Sequence, residues 1–153
     1  MNDSLRSFEL SGFALGGAKS ERFKEIKEQL SVLSNQFSKN VLQSTNSWKK
    51  TVSANDLKGY GADEFSKVKK GDHYEISLQV PVYIDLMTYA DSSDLREEVY
   101  KAYISRASDI GITSKEFNNR PIMDEILKLR SEMSELVGFS NYAEYSTQSK
   151  MVE

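Results

Sequence analysis

The stretch Phe23-Lys24-Glu25-Ile26-Lys27-Glu28-Gln29-Leu30-Ser31-Val32-Leu33-Ser34-Asn35-Gln36-Phe37-Ser38-Lys39-Asn40-Val41 decides the fold class. Phe23, Ile26, Leu30, Leu33, Phe37 and Val41 recur at steps of three and four, which keeps one helical face apolar. Lys24, Glu25, Lys27 and Glu28 occupy the other face. Ser20 can cap the start, and the pattern runs towards Asn46, so the sequence predicts one helix of about 27 residues, on the order of 40 Å long. Such a seam can serve an intermolecular coiled coil or pack inside its own chain. Aromatic Phe23 and Phe37 crowd a narrow two-stranded seam, and this favours packing within the chain.

Downstream of this helix the period changes. Trp48, Lys50 and Val52 alternate with Lys49 and Thr51, and Tyr74, Ile76, Leu78 and Val80 alternate with Glu75, Ser77 and Gln79. Both read as strands with one face buried. A lone strand needs a partner, so the sequence predicts a two-stranded, hairpin-like β insertion over residues 49–80. Its connection, Ala54 to Asp72, is broken by Asn55, Gly59, Gly61 and Gly71 and offers only Leu57, Tyr60, Phe65 and Val68 to a core. It reads as a loop and as the most mobile internal region.

Helical signals then resume. Pro81 suits the first turn of a helix through Ile84, Leu86, Met87 and Ala90. Asp94 with Glu97 resembles an acidic capping box for a helix carrying Leu95, Val99, Ala102 and Tyr103 and ending near Ala107. After Gly111, Pro121 opens a helix marked by Ile122, Ile126, Leu129, Met133 and Leu136, with Gly138 as its stop. Ser140 can cap a last helix through Tyr142, Ala143 and Tyr145 to the final residues. The fold class is therefore mainly α: a multi-helical unit over residues 1–153, with one long N-terminal helix and a small two-stranded β insertion.

Composition bounds what such a unit can do. Hydrophobic residues at 39% and charged residues at 28% fit a globular chain, and 153 residues bury roughly 70% of their unfolded surface. A net charge of -3 gives no general attraction to nucleic acid or anionic membranes, so neither is expected as a partner. No stretch approaches the ~20 apolar residues of a membrane span, and the N-terminus lacks the apolar run of a signal peptide. Zero cysteines excludes disulfides, thiolate metal sites and cysteine nucleophiles, and the simplest setting is cytoplasmic.

The catalytic inventory is short. A helical H-E-x-x-H zinc site takes two imidazoles one turn apart, and His73 is the single histidine. It follows Gly71 and Asp72 at the mouth of a strand and reads as a solvent-facing turn residue. A Ser–His–Asp triad would need the same His73, and no G-x-S-x-G elbow is present. Asp85, Asp91, Asp94, Glu97 and Glu98 are dense enough to raise acid–base or metal chemistry, but two of them read as helix caps and calcium-loop spacing is absent. Gly59-Tyr60-Gly61 is only a G-x-G fragment, with Glu64 where a third glycine would be needed, and no G-x-x-x-x-G-K appears, so phosphate cradling has no support. Tyr83, Tyr89, Tyr100 and Tyr103 form the densest aromatic group; they read mainly as core, and the same region is the first place to expect ligand contact. The expectation is thus no catalytic residue and no metal ligand in this segment, with substrate contacts unassigned.

Several separated blocks, taken in order, resemble the zinc oligopeptidases of the thimet oligopeptidase family. They are Arg6-Ser7-Phe8-Glu9-Leu10-Ser11-Gly12, Asn40-Val41-Leu42 with Trp48, Val80-Pro81-Val82-Tyr83 with Met87-Thr88-Tyr89, and Leu95-Arg96, Tyr100, Tyr103 and Arg106-Ala107. Leu129-Arg130, Leu136-Val137-Gly138-Phe139-Ser140-Asn141-Tyr142-Ala143 and Lys150-Met151 complete the series. Ser134 departs from it, standing where a small apolar residue is expected. The resemblance implies a fragment of a cytoplasmic zinc metalloendopeptidase that cleaves short peptides inside a channel. It places this segment ahead of the H-E-x-x-H domain as scaffold and channel wall, inactive alone, with zinc held only in the full-length parent. Its partners would be the remainder of the parent and, for the parent, short peptides; uncovered apolar faces predict self-association of the isolated segment. The rival reading is a self-contained helical protein-interaction module, resting on the Phe23 to Val41 seam.

Overall fold

In the computed structural model, Phe8, residues 10–111 and residues 115–150 are described. Parts of the first and last blocks quoted above therefore lie outside the described residues, as does the final stretch of the last expected helix. Helix α1 spans Ala18–Ser47, α2 Ala62–Val68, α3 Val80–Tyr89, α4 Ser93–Ile104, α5 Arg120–Leu136 and α6 Tyr142–Thr147. Strands β1 Lys49–Val52, β2 Lys69–Lys70 and β3 His73–Ser77 form the described sheet. The chain divides into two compact units, Met1–Phe37 with Pro121–Glu153, and Ser38–Arg120.

The first unit is built on the N-terminal part of α1 and on α5. Phe23 and Ile26 bury against Leu129 and Met133, with Leu30, Leu33 and Tyr142 packed at the margin. The seam that suggested a coiled coil is thus occupied within the chain from Phe23 to Leu33, as its aromatic residues favoured. Arg22 grips Glu132 through two hydrogen bonds, Nε to Oε1 at 2.6 Å and Nη2 to Oε2 at 2.8 Å. The α5 stop falls at Gly138, whose φ of 88° needs no Cβ to be avoided. There Phe139 N–H reaches the Ser134 carbonyl at 2.9 Å and Gly138 N–H the Glu135 carbonyl at 3.0 Å, a Schellman closure. Ser134 itself is buried, and its hydroxyl donates to the Ser131 carbonyl at 2.8 Å, which satisfies it where an apolar residue was expected.

Three local boundaries differ from the sequence reading. Helix α1 starts before Ser20, with the amides of Ser20 and Glu21 closing on the Gly17 carbonyl at 3.1 and 3.4 Å. Helix α4 is capped by Ser92, whose hydroxyl accepts from Leu95 N–H at 3.3 Å, so Asp94 falls inside the first turn. Helix α6 is capped by Asn141, which accepts from Glu144 N–H at 2.9 Å, while Ser140 instead donates to the Glu144 carboxylate at 2.6 Å. At α4 and α6 several Ser, Asp or Asn side chains compete for one role, and composition alone does not rank them.

The second unit carries the sheet. Antiparallel β1 and β3 pair with Lys50 opposite Ile76 and Val52 opposite Tyr74. The expected two strands gain a third, since β2 adds to the other edge of β3 with Lys69 opposite Tyr74 and Lys70 opposite His73. Two residues are too few for a period to register in the sequence. Val80 opens α3 and is half exposed instead of continuing the strand, because Pro81 sits in the first helical turn. The connection from 54 to 72 holds α2, and its Leu57 and Val68 are core residues beside Ile76, Leu78, Leu86 and Val99. Its few apolar side chains are spaced too irregularly for a periodic signal, yet each fills part of the same core.

Within this unit the buried face of α1 turns polar. Asn40, Ser44 and Thr45 are buried, and Asn40 Nδ2 donates to Asn119 Oδ1 at 2.9 Å. Ser44 Oγ accepts from the backbone N–H of Ala107 at 3.0 Å, and the Ala107 carbonyl accepts from Asn119 N–H at 2.8 Å. Ala107 lies beyond the end of α4, buried and with φ 51°, a left-handed conformation unusual for alanine and held here by bonds on both sides of the residue.

Candidate functional site

The tyrosine group singled out from the sequence divides in the structure. Tyr83 on α3 and Tyr103 on α4 stack with ring centroids 3.8 Å apart and planes 12° from parallel. The Arg106 guanidinium covers Tyr103, its Cζ 3.6 Å from the ring centroid. Arg106 is fixed by donating from Nε to the Tyr103 carbonyl at 2.8 Å and from Nη1 to Thr45 Oγ1 at 3.0 Å. It meets no carboxylate among the described residues. Burial, followed by Tyr100 and Tyr103, raises the Tyr83 hydroxyl above its ordinary value, while Arg106 opposes that shift. Tyr89 and Tyr100, each 46% exposed, stand outside the stack. The result is a layered aromatic–cation surface, suited to contact with a flat or anionic group.

Tyr60 is a second unusual group. Its hydroxyl is buried without a hydrogen-bond partner, and burial, then Asp85 and Glu64, pushes its pKa up to about 12. The adjoining turn packs tightly on the end of α3. Gly59 has φ 94°, and a Cβ there would lie 1.8 Å from the Tyr89 carbonyl oxygen. Asp91 N–H donates to the Lys58 carbonyl at 2.8 Å beside it.

The remaining candidates are dispersed. His73 is exposed at the start of β3. Asp85 pairs with Lys67 at 2.7 Å, Glu98 with Lys50 at 2.7 Å and Glu97 with Lys101 one turn away. Asp91 and Asp94 are exposed. Among the described residues no three His, Cys, Asp or Glu side chains gather where they could hold a metal ion. With one histidine and no cysteine in the sequence, the donors present do not fit a peptidase zinc centre, and no step of chemistry can be routed through one here. Among the described residues no helix is long and apolar enough to cross a membrane.

Sequence reasoning missed the Arg106–Thr45 and Asn40–Asn119 contacts. The signal was present, because the three-and-four rhythm of Phe23, Ile26, Leu30, Leu33 and Phe37 continues to positions 40 and 44 as well as to Val41. Those positions carry Asn40 and Ser44, so the stripe continues as a buried polar face that a search for apolar residues passes over.

Comparison with known proteins gives the chain its relatives. The model for peptidase family M3 matches residues 86–153. The whole chain is 42% identical over 160 residues to oligopeptidase A of Salmonella typhimurium and, to the same degree, to oligopeptidase A of Escherichia coli. It is 39% identical over 156 residues to the probable cytosolic oligopeptidase A of Arabidopsis thaliana, covering 93% of this chain and 22% of that protein. The chain spans 24% of the length of the two bacterial relatives. This chain is therefore similar along its whole length to oligopeptidase A, and its residues 86–153 match the model of peptidase family M3.

Proposed function

We propose that the chain is the scaffold and channel-wall part of a zinc-dependent oligopeptidase that hydrolyses short peptides in the cytoplasm. The observation that carries the reading is identity of 40–42% to three bacterial oligopeptidases A across all of this chain, over only 24% of their length. On this reading the chain takes the role of the matching segment, and metal binding and bond cleavage fall to residues elsewhere in the whole enzyme. Within that enzyme the helices here contribute shape. Packing of α1 on α5 and the Arg22–Glu132 grip stiffen one unit. The Tyr83–Tyr103–Arg106 stack presents aromatic and cationic surface of the kind that meets a peptide backbone or side chain.

The test is to express the polypeptide encoded by the whole reading frame that contains these 153 codons and to follow cleavage of short and long peptides by mass spectrometry. The expected result is chelator-sensitive internal cleavage of short peptides. A reading frame with no peptidase activity and no zinc would refute the proposal, and would restore the interaction-module reading.

A further inference from the structure

Two clefts in the first unit run along the α1 and α5 helices and differ in charge. One, of about 540 Å³, is lined by Val32, Leu33 and Leu129 together with Glu25, Glu28 and Glu125. The other, of about 360 Å³, is lined by Leu30 and Met133, by Tyr142 and Tyr145, and by Lys27 and Arg130. No acidic side chain lines the second cleft. Arg130 is half-buried, with its Cζ 4.9 Å from the centre of the Tyr142 ring. Neither Arg130 nor Lys27 forms an ion pair among the described residues, whereas Arg22 and Arg120 each meet a carboxylate.

A half-buried guanidinium with no counter-charge is an incomplete arrangement, because desolvation weakens its hydration and a ring face replaces only part of it. Stacked on a tyrosine face, a guanidinium still presents the planar edge that matches a carboxylate. The apolar lining accepts a side chain beside that anion. The volume sits at the small end of ligand clefts, which run ~300–1,000 Å³, so it suits a chain end better than a long internal segment.

We propose that this cleft holds the C-terminal carboxylate of a short peptide, with Arg130 and Lys27 as the anion contacts and Leu30, Met133 and the two tyrosine rings around the terminal side chain. The proposal rests on the peptidase reading and deepens it. A free carboxylate is common to every peptide whatever its sequence, so an end-anchoring subsite would be compatible with broad side-chain tolerance.

The test uses the 153-residue chain and two probes, acetyl-Ala-Leu-Phe as the free acid and the same peptide as its C-terminal amide, followed by NMR shift perturbation. The free acid is expected to bind at least about tenfold more tightly and to shift the Tyr142 and Tyr145 signals, one charge-assisted hydrogen bond being worth roughly that factor. Lys27→Gln and Arg130→Gln should each weaken the acid by about tenfold and leave the amide unchanged. Lys27 is exposed, so its variant keeps the test valid should Arg130→Gln disturb packing. Equal binding of acid and amide, or no shift at either tyrosine, would overturn the proposal. An inactive whole protein whose segment still prefers the acid would refute the peptidase reading alone. An active one whose segment shows no preference would refute the subsite alone.

Discussion

Replacing Gly59 with alanine tests how the tyrosine-bearing helices are held, and its cost separates into two measurable parts. The first is backbone strain, since φ at Gly59 is 94° and an L side chain in left-handed space costs roughly 1–2 kcal/mol. The second is contact. The new Cβ would lie 1.8 Å from the Tyr89 carbonyl oxygen, well inside the ~3.3 Å at which carbon and oxygen ordinarily meet. Relieving it moves the end of α3 away from the turn and weakens the 2.8 Å bond from Asp91 N–H to the Lys58 carbonyl, a further ~1 kcal/mol or more. Gly71 supplies the control: its φ is 60°, and nothing lies within 4 Å of an added Cβ. The expected losses are about 3 kcal/mol for Gly59→Ala and about 1 kcal/mol for Gly71→Ala. Urea unfolding followed by Trp48 fluorescence reads both, because Trp48 is the single tryptophan and packs on the core of this unit. Losses equal within ~0.5 kcal/mol would show that the Tyr89 carbonyl contact contributes nothing and would refute the reasoning.

Three further outcomes follow from the same geometry. Tyr60→Phe removes a buried hydroxyl that has no partner, so it should be neutral or stabilising by up to ~1 kcal/mol; a loss beyond that would reveal a partner. Because burial holds the Tyr60 proton on in the folded state, the wild type keeps full stability below the free tyrosine value near ~10 and loses it as pH rises towards about 12, a loss the variant should lack. Glu132 has the opposite sign: Arg22 holds its carboxylate below the usual range, so the pair stabilises above the free glutamate value of ~4.3 and the benefit fades as pH falls through the lower folded value. Glu132→Gln should flatten the acid limb of a thermal-stability profile slightly, since both side chains are more than a third exposed, and an unchanged profile would show the pair to be idle. Ser44→Ala takes the acceptor from the buried Ala107 N–H and should cost ~1–3 kcal/mol with faster amide exchange at Ala107, so unaltered protection there would contradict the role given to the hydroxyl.

Much of the architecture could be read from residue order because it rests on period. The α1 stripe, the β3 alternation, Pro81 before α3 and Gly138 after α5 each put a strong local preference where the tertiary structure uses it. Less legible were features that depend on distant partners. Helix α2 and the short strand β2 lack a period of their own and form against β3 and the core. The buried polar face of α1 at Asn40 and Ser44 has meaning only once Asn119 and Ala107 are seen beside it. The candidate site shows the same division. Crowding of Tyr83 and Tyr103 was visible, whereas the Arg106 layer was not, because its geometry depends on Thr45 some sixty residues earlier. The count of one imidazole and no thiol needs no structure at all.

We propose a division of labour in which these residues shape an enzyme and do not perform its chemistry. The most direct measurement takes the purified 153-residue chain, exposes it to zinc, removes free metal, and then records bound zinc and hydrolysis of a short-peptide mixture by mass spectrometry. The expected result is no retained stoichiometric zinc and no cleavage above a buffer blank. Retained zinc with chelator-sensitive cleavage, trace proteases having been excluded, would contradict it.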